Sequence, residues 1–417
     1  MRKYQLFKQT ERVIDLKLRI GLLGRIIIAI AFGILLGSIV PESQNWIVRT
    51  FVTFNTVFGQ FLGFAIPLII LAFIIPGIGE LGKGAGKLVG LTALIAYAST
   101  IIAGTLAYFA TSNLFPQILT RSTTGAENPE EALLKGFMEF EIPPVFGVMT
   151  ALILAFVIGI GIAAIESKRS LDLAMDFRDI IELLISKVII PLLPIHIAGI
   201  FMNMTYAGQV AEILSVFSLV FVTIIVLHLT MLMIQYSIAG GLNKENPFKL
   251  LKTMMPAYFT AIGTQSSAAT IPVTLRQAKL NNTDEGVANF VIPLSATIHL
   301  SGSTITLTSV GVALMYLNGM PMSYAIVLPF ILALGVTMIA APGVPGGAVM
   351  ASLGLFGSIL GFDATMQSLV IALYLAQDSF GTATNVTGDG AIAKIIHYFK
   401  HNTKLLDNTS SKQEDIA

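Results

Sequence analysis

The chain has 417 residues, 54% of them hydrophobic and 12% charged, with a formal net charge of +1. Soluble globular proteins carry about 25% charged residues, so this composition describes a polytopic membrane protein. The net charge says nothing about nucleic acid, but no basic tract stands out and nucleic acid is not expected as a partner. With no cysteine in the sequence, disulfides, thiol catalysis and Cys-ligated metal are excluded.

Residues 1–19 interleave Arg2, Lys3, Lys8, Arg12, Lys17 and Arg19 with Tyr4, Leu6, Phe7, Val13, Ile14 and Leu16. No small-residue cleavage site follows the apolar run, so the stretch reads as an interfacial amphipathic helix rather than a signal peptide. A membrane-crossing helix needs about 20 apolar residues. Candidates follow at 20–40, 46–78, 88–114, 145–165, 180–204 and 213–238. The second is long enough to require a strong tilt. The polar stretch 116–141 separates the third from the fourth. The fifth begins among Asp172, Asp176, Arg178, Asp179, Glu182 and Lys187, which places its first turns outside the lipid. Numbering the loops alternately puts Arg49, Arg121 and Lys135 on one side. The other side takes the N-terminal cluster, Lys83, Lys87, Lys168, Lys244, Lys249, Lys252 and the C-terminal lysines, Lys394 among them. Positive charge marks the cytoplasmic face, so both termini are expected inside.

Residues 256–273, PAYFTAIGTQSSAATIPV, are too short and too polar for a clean span, and both flanks, Lys252 and Arg276, fall on the inner side. They predict a re-entrant hairpin with its tip at 264–267, where non-helical backbone is tolerated only against protein or water. A span at 286–317 follows. The apolar run 326–360 is interrupted by PGVPGG at 342–347, which breaks it into two half-helices. The last span, 367–398, has to end inside, so the broken run enters and leaves from outside. Two such hairpin–helix units of opposite orientation form an inverted repeat, the architecture of secondary transporters. The expected fold is all-α and polytopic: eight transmembrane helices plus two re-entrant helical hairpins.

The last span carries LAQDSFGTATNVTGDGAIAK at 375–394. Asp378, Thr382, Asn385 and Asp389 are spaced by four, three and four residues, which sets them on one helical stripe. A carboxylate at bilayer depth is costly unless it faces a cavity, a partner or an ion. Two acids with a hydroxyl and an amide between them describe a site for cations and polar solute. A polar seam between helices is made instead with Ser, Thr or Asn. Asp378 and Asp389 lie about 16 Å apart by helix rise, too far to share a proton, so an intramembrane enzyme is disfavoured. A channel is the other class, separated from a carrier by conductance without saturation. His196 and His228 are lone histidines in apolar spans and read as satisfied packing residues.

Four blocks resemble the dicarboxylate/amino acid:cation symporter family, the glutamate-transporter homologues. They are QSSAATIPVT at 265–274, PLSATIHLSGSTIT at 293–306, APGVPGGA at 341–348 and QDSFGTATNVTGD at 377–389. The resemblance covers residues 256–394 and is closest to the serine/threonine-transporting branch. It implies an elevator-type homotrimer in the cell membrane. Residues 20–82 and 116–205 would be scaffold helices 1–2 and 4–5. Residues 83–115 and 206–400 would form the transport domain, and 401–417 a disordered cytoplasmic tail. It implies that Asp378 holds the substrate ammonium beside Thr382, and that Asn385, Ser266 and Ser267 hold the α-carboxylate. Ser303, Val344 and Gly347 would complete the substrate site, Gly343 and Gly347 letting backbone approach the ligand. Sodium would sit at Asp389, Asn385 and the backbone of Ser295, with Ser99, Thr100, His299 and Ser301 at further cation positions.

The departures from the family pattern concern specificity and coupling. Gly381 stands where acidic-substrate members carry arginine, and Gln265 where some members carry arginine at the first tip. Arginine is the residue suited to bidentate carboxylate recognition, so the expected substrate is a small neutral amino acid, serine- or threonine-like. Ser301, Ser303 and Thr306 are the hydroxyls that can meet its side chain. An acidic amino acid or dicarboxylate is the alternative. The family's Asn-Met-Asp-Gly-Thr reads His299-Leu300-Ser301-Gly302-Ser303, so fewer sodium ions are expected. His299 is either a neutral polar partner or a group that titrates and replaces sodium by a proton. Coupling ions are the only cofactor expected, and no enzymatic activity is.

Overall fold

The computed structural model describes residues 22–80, 87–119, 133–138, 141–208, 210–339, 341 and 346–402. All regular elements among them are helical. The amphipathic stretch expected at 1–19 and the tail beyond residue 402 lie outside the described residues.

The first four helices are α1 (Leu22–Ile39), α2 (Trp46–Glu80), α3 (Lys87–Ile118) and α4 (Val148–Ile165). At 35 residues, α2 is about 52 Å long by helix rise, well beyond a hydrocarbon layer of about 30 Å. The fifth span starts earlier than its hydropathy indicates. Ser167 Oγ accepts from Ser170 N and caps α5 (Lys168–Leu184). Leu171, Ala174, Phe177 and Ile181 recur along one face of α5 and pack on the core, so the charged segment is a helix with a buried stripe. A π-helical turn, Ile185–Ile189, joins it to α6 (Ile190–Tyr206). Then comes α7 (Val210–Asn243).

The first helix pair is α8 (Pro247–Thr264) and α9 (Ser267–Leu280), joined by two residues. Asn246 caps α8 through Phe248 N and Lys249 N, Gln265 turns the chain with φ +52°, and Ser266 caps α9. A two-residue turn between helices that pack on each other makes them antiparallel. The arms run past the apolar core of 256–273 at both ends. The expected single span at 286–317 is broken into α10 (Glu285–Ile298) and α11 (Ser301–Leu317), with His299 in extended backbone and Leu300 non-helical between them. The second pair, α12 (Tyr324–Ile339) and α13 (Gly347–Ser358), flanks the PGVPGG run. Residues 342–345, with Gly343 and Val344, lie outside the described residues. The polar-striped segment is one helix, α14 (Ala364–Asn402), 39 residues long.

Five helical stretches among the described residues are long and apolar enough to cross a membrane: Trp46–Gly79, Leu88–Ile118, Lys168–Tyr206, Phe217–Asn243 and Glu285–Leu317. Packing sorts the helices into two groups. Helix α1 packs on α6, and α2 on α4, α5 and α6. In the other group α7, α8, α9, α10 and α11 surround α14, while α3 packs on α11 and α12. The groups meet where α13 lies on α2 and where α14 touches α1. The α1–α6 contact depends on Gly33, where a Cβ would overlap the Ala198 carbonyl.

One end of α14 is stapled to the first helix pair by Lys394. This side chain, which the loop count assigned to the cytoplasmic side, is 2% exposed. Its Nζ donates to Asn281 O at 2.8 Å and Asn282 O at 3.3 Å, and pairs with Glu245 at 2.8 Å. Lys394→Met leaves these acceptors without their donor and is expected to cost about 1–3 kcal/mol. The readout is the unfolding temperature of the purified protein, and an unchanged value removes the staple from the account. Nearby, Asp284 caps α10 by accepting from Val287 N and pairs with Lys400. The Val287 N–H and the Lys400 ammonium hold its carboxyl below the usual aspartate value.

Candidate functional site

The striped helix supplies the floor of the site. Asp378, Thr382, Asn385 and Asp389 are all buried. Asn385 resolves the broken span. Leu300, at the N-cap of α11, has no side chain to cap with, and the first N–H groups of a helix need acceptors. Asn385 Oδ1 provides one, taking Gly302 N at 2.7 Å and Ser303 N at 3.4 Å. Its Nδ2 donates to Ser303 Oγ at 3.0 Å, and Tyr374 donates to the same oxygen at 3.0 Å.

Asp378 does the same for α13. Its Oδ2 accepts from Gly346 N at 2.7 Å, where φ +75° lets glycine turn the chain into the helix. Tyr374 and Thr382 stand with this carboxylate in the lining of one cavity. The N-terminus of α9, capped by Ser266, joins the other two at a cavity. Gln265, Ser267, Leu300, Ser303, Tyr374, Asp378, Thr382 and Asn385 line it, with Ala296, Ala341 and Ala348 between them. Helix N-termini present N–H groups and partial positive charge, which favours an anion. Asp378 favours a cation within the same cavity. A ligand carrying both an ammonium and a carboxylate matches that arrangement.

A second polar centre lies further along α14. His299, in the break, places Nδ1 3.0 Å from Asp389 Oδ1. With that nitrogen donating, Nε2 accepts from the Ser99 hydroxyl at 3.0 Å, and Gln235 Nε2 lies 3.2 Å from the same ring nitrogen. The Gln235 amide also donates to Ser99 Oγ at 2.9 Å and Ser301 Oγ at 3.2 Å. A Cβ on Gly388 would lie 2.7 Å from Gln235 Oε1 and 2.8 Å from His299 Cε1. Glycine there lets both side chains rest on the α14 backbone.

The structure distributes the sequence candidates between these centres and beyond them. Ser267, Ser303, Asp378, Thr382, Asn385 and Gln265 come together at the cavity, and Gly347 is the first residue of α13. The Ser266 hydroxyl is spent on capping Ala269 N. Ser99, His299, Ser301 and Asp389 form the second centre. Thr100 donates to Ala96 O within its own helix. The Ser295 carbonyl accepts from His299 N at 2.9 Å, while its hydroxyl has no partner. A Cβ at Gly381 would meet Ser303 N at 3.6 Å and Thr306 Oγ1 at 3.7 Å, so this position faces α11. Thr306 turns to His228, at 3.2 Å.

His196 is satisfied at both nitrogens, by Asn55 and Ser368. His228 is only half satisfied: Nε2 donates to Gly302 O at 3.0 Å, and Nδ1 has no partner. Its expected role as a fully satisfied packing residue is corrected accordingly. Two site residues were missed. Gln235 is a lone amide in an apolar span. Tyr374 extends the α14 stripe by one turn before Asp378, a spacing legible in the sequence.

A buried polar stripe clasped by broken helices, with three helix N-termini meeting at a cavity in a multi-pass membrane protein, defines a solute carrier. The chain belongs to the sodium:dicarboxylate symporter family, whose sequence model matches residues 22–399. It is similar to the serine/threonine transporter SstT of Enterococcus faecalis, 26% identical over 407 residues that cover 89% of this chain and 90% of that protein. The same transporter of Acinetobacter baylyi is 27% identical over 389 residues, covering 89% and 96%. Excitatory amino acid transporter 2 of Homo sapiens is 26% identical over 309 residues, which cover 70% of this chain and 52% of that longer protein. The family expected from the four sequence blocks is the family found.

Proposed function

We propose that this chain is a symporter that imports a small neutral amino acid, serine- or threonine-like, with sodium. The observation that carries the reading is the cavity's charge. Asp378 is the one ionisable carboxylate among its described lining residues, and none of them is basic. The substrate ammonium meets Asp378, and the substrate carboxylate meets the helix N-termini with Ser267 and Asn385. A second carboxylate would find no guanidinium, since neither Gly381 nor Gln265 supplies one. The names of the serine/threonine transporters that this chain resembles point the same way, and sodium as coupling ion follows the family's description.

The two packing groups support an elevator in a homotrimer. The α1, α2, α4, α5 and α6 group acts as scaffold, and α3 with α7–α14 carries the site. The α8–α9 and α12–α13 pairs act as re-entrant hairpins whose tips gate the cavity.

The test is labelled serine uptake into liposomes holding the purified protein. An inward sodium gradient at equal pH is compared with an inward proton gradient without sodium. Saturable uptake driven by sodium is expected, with unlabelled threonine competing at least tenfold better than aspartate. Stronger competition by aspartate overturns the substrate. Uptake driven by protons alone overturns sodium coupling, and conductance that does not saturate overturns the carrier.

A further inference from the structure

We infer that Asp389 serves a protein partner and not a coupling cation: the His299 ring fills the position beside it, so no sodium ion binds there. The inference rests on the symport reading above and narrows it. A hard cation needs a shell of several oxygen atoms with lone pairs to give. The oxygens at the candidate cation positions each accept at least one N–H hydrogen bond. Asn385 Oδ1 holds Gly302 N and Ser303 N. The Ser295 carbonyl holds His299 N. Ser99 Oγ and Ser301 Oγ accept from Gln235, and Asp389 Oδ1 faces His299 Nδ1. Gln235 Oε1 and Ser295 Oγ are buried without partners, but the imidazole takes the side of Asp389 Oδ1 that a shared cation would need.

The ring is enclosed by protein. His299 is 0% and Asp389 1% exposed. The Gly388 backbone closes one face of the cluster, with His299 Cε1 and Gln235 pressed against it. A buried carboxylate requires a hydrogen-bonded or charged neighbour, and the imidazole supplies one. The cluster ties α3 through Ser99, α7 through Gln235, the α10–α11 break through His299 and Ser301, and α14 through Asp389. A link that elsewhere would need an ion is here made by side chains.

The experiment counts bound sodium with ²²Na⁺ on purified protein, without amino acid, so that it does not depend on the substrate assignment. Asp389→Asn is expected to bind the same number of ions per chain as the wild type. The double variant His299→Asn/Ser301→Asp, which replaces the ring by an amide and adds a carboxylate, is expected to bind one more. Loss of one ion in Asp389→Asn, or no gain in a folded double variant, overturns the inference. Should either variant fail to fold, wild-type protein labelled with ¹⁵N-histidine decides. Sodium added against potassium should leave the carboxylate-bonded imidazole N–H resonance in place, and a sodium-dependent shift of that resonance overturns the inference. Wild-type protein that binds no sodium at all sinks sodium symport and supports the assignment at Asp389.

Discussion

Asp378→Asn is expected to abolish serine uptake while the protein remains folded. The substitution keeps the size of the side chain and an oxygen for Gly346 N, so the start of α13 retains its acceptor. It removes the negative charge that the substrate ammonium would meet. Truncating one partner of a buried, hydrogen-bonded charge pair costs about 2–5 kcal/mol, which corresponds to a loss of affinity of roughly 30- to 4,000-fold. Equilibrium binding of labelled serine, with the elution profile of the variant as a control for folding, reads the effect. A folded Asp378→Asn protein with wild-type affinity would remove the ammonium from this position and with it the proposed orientation of the substrate.

Gly302→Ala is expected to disrupt the site from the opposite side. Gly302 lies where α11 crosses α14, and a Cβ there would overlap the Gly381 carbonyl oxygen. It would also sit 2.7 Å from Thr384 Cβ and 3.1 Å from Asn385 Oδ1. Backbone on the other helix cannot rotate away as a side chain can. Overpacking of this kind costs about 1–3 kcal/mol, occasionally more. The damage reaches function, because Gly302 N is held by Asn385 and Gly302 O by His228. Moving the helices apart opens both bonds at the edge of the cavity. Gly381→Ala is the control from the same crossing. Its Cβ would meet neighbours only at 3.6 Å and beyond, an ordinary contact. Unfolding temperature and serine affinity are therefore expected to fall sharply for Gly302→Ala and little for Gly381→Ala. The reverse order would contradict the packing at this crossing.

Much of the carrier is legible in the sequence for a physical reason. Membrane insertion demands long apolar runs, so hydropathy places α1 to α4 and α7 within a few residues. The stripe of Asp378, Thr382, Asn385 and Asp389 is readable because helical periodicity is local. The expected tip at 264–267 and the PGVPGG run at 342–347 stand out because glycine, serine and proline act on their own segment. The family follows from four blocks whose order survives in the chain.

What only the tertiary structure decides lies in contacts between residues far apart in sequence. The break at His299 and Leu300 itself contains neither glycine nor proline. The helix ends there because Asn385, 83 residues away, accepts the N–H of Gly302. The His299 side chain meets its partner Asp389 90 residues away. Gln235 reads as an isolated amide until folding sets it against Ser99, His299 and Ser301. Residues 168–180 read as too charged for the membrane until Leu171, Phe177 and Ile181 find the core on one face. Local pattern determines which segments are helical and which face is polar. Which polar group satisfies which is settled by long-range hydrogen bonds, since a buried donor or acceptor takes its partner from whichever element folding brings within about 3 Å.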